Sequence, residues 1–163
     1  MELAIIKEIN KEYIEAVKHY EEKIANKDTA ILSDSYINLA FLYWSFAFEY
    51  FEFVIPNNIS EEWSIIGKNR YPRILELGLK QYPNSAELHF WKKYFQHIIF
   101  GEDFTEQDCK ELLEKYRDDN NVVPYFFLYL FNNEKYKEKR DFLLKECIKY
   151  PTAKNLYIKS IIE

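Results

Sequence analysis

Few residues in this chain could do chemistry, and their spacing argues against most of it. The three histidines are His19, His89 and His97. His89 and His97 fall eight residues apart in one apolar-periodic segment, too far for shared chelation along a helix. Neither belongs to a His-x-x-x-His or Glu-x-x-His pair. Glu15 and His19 stand at i, i+4, the spacing of ordinary surface pairing. Glu49 and Glu52, at i, i+3 in an aromatic surrounding, form a carboxylate pair of the kind that can do acid–base work, but the further groups such work needs are missing. Cys109 and Cys147 have no close pairing and no identifiable base, so they read as small buried hydrophobes. No Gly-rich phosphate loop exists. The chain is expected to be non-catalytic, with no metal and no cofactor.

Composition sets the class. With 163 residues, 48% apolar and 30% charged, the chain suits one soluble domain with a sizeable core. Only 3 Gly and 5 Pro occur, too few to punctuate an all-β fold. The net charge of −5 disfavours general nucleic-acid binding. Charge is uneven: residues 133–160 hold eight Lys/Arg against four Asp/Glu, a net +4 that leaves −9 elsewhere. An acidic body suits a basic partner, while the basic segment keeps an acidic or nucleic-acid partner open. The aromatic window Tyr36 to Ile55 contains Asn38, Ser45, Glu49 and Glu52, and two carboxylates are expensive in lipid, so no membrane span is expected. The apolar run in MELAIIKEINKEY is too short for a signal peptide. A reducing, cytoplasmic location is expected.

The elements that must carry these residues repeat. LELGLKQYP (75–83), CKELLEKYR (109–117) and LLKECIKYP (143–151) follow one another at 34 residues. Leu75, Cys109 and Leu143 correspond, as do Leu79, Leu113 and Cys147, and Tyr82, Tyr116 and Tyr150. Apolar positions at i, i+4 and i+7 lie on one helix face, and a period of this length signals a stacked array. Between them, AELHFWKKYFQHIIF (86–100) and VVPYFFLYLF (122–131) supply a second set of helices, so each repeat is a pair, A and B. Asn84 with Glu87, and Thr105 with Asp108, read as caps. Gly101 breaks the chain between them.

This pattern resembles the tetratricopeptide repeat, a helix–turn–helix unit. NLAFLY (38–43) carries Leu39, Ala40 and Tyr43 at the family's large, small and large helix A positions; LELGLKQYPNS carries Leu75, Gly78 and Pro83 in helix B. The middle copy departs, with Lys92 for a small residue and Arg117 for Pro. The resemblance spans roughly residues 11–162. It implies an all-α fold of antiparallel helix pairs over a single domain, 1–163, with about eight helices and a terminal capping helix at 152–162. Leu39 and Trp91 are 52 residues apart, so extra sequence is expected near 55–70, where Ser60 could cap a turn or two of helix. Gly78 would allow close helix approach.

In such arrays a second stripe of helix A lines a concave groove for partner peptides or proteins. The resemblance assigns that stripe to Ile37, Phe41, Trp44 and Phe48, then His89, Lys93 and Gln96, then Val123, Phe127 and Leu130. Two readings of the aromatic part are open: the 55–70 segment folds over it and makes it core, or it is an exposed patch for a partner. The cation pattern by which some family members clamp a carboxylate is incomplete, since only Lys93 falls on the stripe. The expected function is protein–protein interaction with a protein or peptide partner, a basic one fitting the charge. By analogy, short acidic chains of this kind include immunity or antitoxin proteins that neutralise a dedicated toxin. The alternative is a nucleic-acid-binding or regulatory role for residues 133–160.

Overall fold

Nine α-helices and one π-helical turn, with no strand, make up the described residues 1–26, 30–117 and 121–163 of the computed structural model. The helices are α1 (Leu3–Ile9), α2 (Tyr13–Ala25), α3 (Ser33–Phe48), α4 (Glu62–Gln81), α5 (Ala86–Phe100), α6 (Glu106–Lys115), α7 (Tyr125–Phe131), α8 (Lys137–Lys149) and α9 (Ala153–Ile162). α1 had no counterpart in the sequence pattern; it pairs with α2. A single buried cluster runs from Ala4 to Ile162.

The 34-residue period is realised as one repeated helix ending. Tyr82, Tyr116 and Tyr150 close α4, α6 and α8 with nearly the same backbone, φ/ψ of −124/69°, −111/75° and −126/79°. In each the tyrosine N–H donates to the carbonyl four residues back, on Gly78, Leu112 and Glu146, satisfying one orphan acceptor of the last turn. Leu75, Cys109 and Leu143 are all buried, as the shared helix face requires. The Tyr82 hydroxyl donates to the Ile31 carbonyl, and the Tyr116 ring stacks on His89 at 3.7 Å.

α3 is the central helix, packing against α2, α4, α5 and α9. Twelve of its sixteen residues are buried, Ser35 to Phe46, as expected of a helix apolar all round. Its polar tips reach outward: the Tyr36 hydroxyl donates to Gln81 and that of Tyr43 to Glu21, which also takes Arg70 at 2.6 Å. α4 approaches α3 very closely at two glycines. A Cβ on Gly67 would sit 2.1 Å from the Tyr43 carbonyl oxygen, and one on Gly78 would sit 2.9 Å from Tyr36 Cβ.

Local boundaries differ from the sequence pattern in three places. The N-cap of α5 is Ser85, whose hydroxyl accepts from Leu88 N–H, rather than Asn84; Glu87 is engaged by Trp91 and Lys154 instead. Thr105 and Asp108 do form a reciprocal capping box. The 55–70 segment is no separate helix capped by Ser60. Residues from Glu62 onward are the first half of α4, which runs unbroken through Pro72, a residue that is exposed and so forfeits its hydrogen bond on the solvent side. α3 stops at Phe48, and Tyr50–Val54 form a π-helical turn.

Three helices lie side by side in the same direction. Phe41 meets Trp91, and one turn on Trp44 stacks on Phe95 at 4.8 Å, so α3 and α5 are parallel. Lys154 pairs with Glu87, and further along the Tyr157 hydroxyl meets that of Tyr94, so α9 is parallel to α5. α9 also touches α3 and α7. The chain therefore closes on itself instead of leaving an open trough: Glu8 of α1 accepts from the N–H of Ala153, 145 residues away, at 3.1 Å.

Candidate interaction site

The N-terminal ends of these parallel helices are tied by buried charge. Glu8 is 1% exposed, accepting from the Tyr20 hydroxyl at 2.5 Å and from Ala153 N–H at the start of α9. Burial pushes its carboxyl up to about 7, against the opposing pull of Tyr20, Ala153 and Lys154. Lys154, also buried, pairs with Glu87 at 2.7 Å. Burial disfavours its charge, but Glu87 and Asp34 outweigh that and hold the ammonium above its ordinary range. Every strong donor here has a protein acceptor, so this end reads as a structural tie.

The stripe expected to line a groove is divided by the fold. Ile37, Phe41 and Trp44 are each 2% exposed and Phe127 is 5% exposed, so these four are core. The correction has a physical cause. Tyr157 of α9 packs its ring on Phe41 and Trp44, while Trp91 and Phe95 of α5 cover the other side. The 55–70 segment contributes elsewhere, through Trp63 on Phe46. The Trp44 indole N–H finds no hydrogen-bond partner among the described residues. Val123 is half-buried.

His89, Lys93 and Gln96 line a polar cleft of about 630 Å³ between α5 and α6, facing Asp103, Asp108 and Glu111. His89 is held there by the Pro83 carbonyl at 2.7 Å and by Tyr116. Asp108 is committed to capping α6. The cleft mixes both charge signs and, among the described residues, has no unpaired buried donor.

At the opposite ends of α3, α5 and α9 the surface changes character. Phe48, the last residue of α3, is 38% exposed, and the π-turn beyond it presents Tyr50 and Phe51, the latter 74% exposed. Parallel packing sets the last turn of α5 level with the end of α3, and there Ile98 is exposed and Phe100 is 69% exposed. Gly101, at φ 69°, ends α5 in the left-handed conformation and leaves Phe100 outside the helix stack. Leu130 and Phe131 are exposed at the end of α7.

Glu49 and Glu52 stand within this aromatic edge. Burial, and then the neighbouring Glu52 carboxylate, push Glu49 up to about 7. Among the described residues no Lys or Arg pairs with either. Ile98 shares the helical spacing of Leu88, Trp91 and Phe95 yet is 41% exposed, whereas Tyr50, Phe51 and Phe100 were absent from the predicted site because they fall off the helical stripes. Their signal in the sequence is a bulky ring placed at a helix-breaking point, as in Phe100-Gly101.

Among the described residues no group of His, Cys, Asp and Glu could hold a metal ion, and no helix is long and apolar enough to cross a membrane. Both cysteines are buried, which pushes their thiols up to about 12 for Cys109 and about 11 for Cys147. No family model matches the chain, and neither a curated protein nor a solved structure matches it.

Proposed function

We propose that this chain is a non-catalytic protein-interaction module, built from tetratricopeptide-like helix pairs, that takes a protein partner on its aromatic edge. The repeated tyrosine helix endings and the shared burial of Leu75, Cys109 and Leu143 support the repeat reading. One observation carries the functional part: large rings at Phe48, Tyr50, Phe51 and Phe100 remain exposed at the edge where parallel helices end. Exposed apolar surface, here with Tyr50 and Phe51 in ring contact at 5.1 Å, marks docking sites, and aromatic anchors dominate binding energy.

Thiols held in the protonated form and a carboxylate pair without further catalytic groups support a non-catalytic role. The nucleic-acid reading of residues 133–160 has less support. Arg140 binds the Ile162 carbonyl and Asp141, while Lys135, Lys139 and Lys149 lie over tyrosine rings at 5.0–5.3 Å.

The test is affinity capture from the host with the native chain and with Phe51→Ser/Phe100→Ser, each checked for native helix content. Both residues are exposed, so the variant should fold. A protein held by the native chain and lost from the folded variant is the expected result. Equal capture by both would reject the edge as the binding surface.

A further inference from the structure

We infer that the aromatic edge recognises a cationic amphipathic segment of its partner, one whose Lys or Arg side chains alternate with apolar residues. The inference rests on the protein-binding reading above and adds the chemistry of the partner. Its basis is charge complementarity. No Lys or Arg occurs between residues 28 and 67 or between 94 and 109, the stretches that hold the exposed rings, and the first of them also holds Glu49 and Glu52; in the second, Asp103 and Asp108 face the α5–α6 cleft and Glu106 pairs with Lys110. Glu49 and Glu52 share the edge with Phe48, Tyr50 and Phe51 and have no cation beside them among the described residues. At the end of α9, Lys159 is already paired with Glu163 at 3.1 Å.

Helix dipoles do not decide the sign, because the N-terminal ends of α4 and α6, which run antiparallel to α3 and α5, lie on the same side as the C-terminal ends of α3, α5 and α9. The exposed rings present electron-rich faces that also favour a cation. A second copy of the chain is the poorer occupant, because two such edges brought together would oppose like charges. A lipid surface is poorer still, since membrane faces that bind proteins by charge are anionic.

The experiment uses two synthetic helical peptides of about 18 residues, roughly five turns, with the same leucine face. One carries Lys on its polar face and the other Glu. Fluorescence anisotropy is measured against the full chain, Glu49→Gln/Glu52→Gln, Phe51→Ser/Phe100→Ser, and Phe142→Ser, an exposed apolar position on α8. Saturable binding of the Leu/Lys peptide is expected. It should weaken about tenfold or more in each double variant, stay unchanged in Phe142→Ser, and fall as salt rises from about 50 to about 500 mM. Equal binding of the Leu/Glu peptide would overturn the inference. So would no saturable binding of the Leu/Lys peptide, or binding that the edge variants leave intact. Self-association abolished by Phe51→Ser would assign the edge to a second copy and overturn it too. A captured host partner that needs Phe51 and Phe100 but ignores Glu49→Gln/Glu52→Gln would sink this inference while leaving the protein-binding reading standing.

Discussion

Replacing Gly67 by Ala should destabilise the protein, although the same change in an exposed helix usually helps by about 0.5–1 kcal/mol. Gly67 sits in the interior of α4, where helix propensity favours Ala. The added Cβ, however, would lie 2.1 Å from the Tyr43 carbonyl oxygen and 3.0 Å from its carbon. Relief requires α4 to back away from α3 by about 1 Å, because backbone cannot rotate aside as a side chain can, and such a gap forfeits a quarter to a half of each contact's dispersion well. Overpacking of this kind costs about 1–3 kcal/mol and sometimes more. A net loss of about 2 kcal/mol is expected, lowering the melting temperature by about 4–8 °C in a domain of this size. Gly78→Ala meets side-chain atoms, Tyr36 Cβ at 2.9 Å and Leu88 Cδ2 at 3.0 Å. It should cost somewhat less, about 1–2 kcal/mol, because the Leu88 methyl can turn away whereas Tyr36 Cβ is fixed by its backbone. Urea denaturation of both, with exposed Lys68→Ala as reference, decides the matter. Gly67→Ala stabilised like an ordinary helix substitution would refute the close α3–α4 approach.

Three further outcomes follow from buried groups. Glu8 binds its proton more tightly folded, at about 7, than its unfolded value of 4.5. Ionising it therefore costs stability, with no loss below 4.5 and the full loss, about 3 kcal/mol, above 7. Urea midpoints should fall across that window in the native chain, and Glu8→Gln should flatten the fall; coincident profiles would contradict the burial. Lys154→Met leaves Glu87 buried without its cation and should cost about 3–5 kcal/mol, whereas Lys154→Met/Glu87→Leu should recover most of it. A double-mutant cycle by denaturation measures this, and additive losses would deny the pair. Cys109 and Cys147 should resist a thiol-reactive chromogenic disulfide in the native state and react promptly in urea. Rapid native labelling would place them at the surface.

The repeat was legible because it is local. Leu75, Cys109 and Leu143 face inward by helical spacing alone, and the tyrosine that follows each set ends its helix in the same way. Close approach at Gly78 was legible for the same reason, since a residue without a Cβ amid large apolar positions has few other uses in a helix. The closure of α9 on α3 was not. It depends on Tyr157 meeting Phe41 and Trp44, and on Glu8 meeting Ala153, contacts between parts of the chain too far apart for any periodicity to report. That closure decides which aromatics are core, so the groove expected at Ile37, Phe41, Trp44 and Phe127 vanished with it. The end of α3 at Phe48 was hidden because apolar spacing continues through the π-turn; only the hydrogen-bond register changes there. Gly67 and Pro72, residue types that ordinarily interrupt a helix, both stand inside α4, where one marks a close contact and the other faces solvent.

The most direct test of the central claim is site-specific photo-crosslinking in the host. The chain would carry p-benzoylphenylalanine in place of Phe51 or, as the comparison, of Phe142, both of which are exposed. The account predicts a crosslink from the Phe51 position to one partner protein, through a peptide rich in Lys or Arg, and none from the Phe142 position. A partner that crosslinks through position 142 and not through position 51 would contradict it.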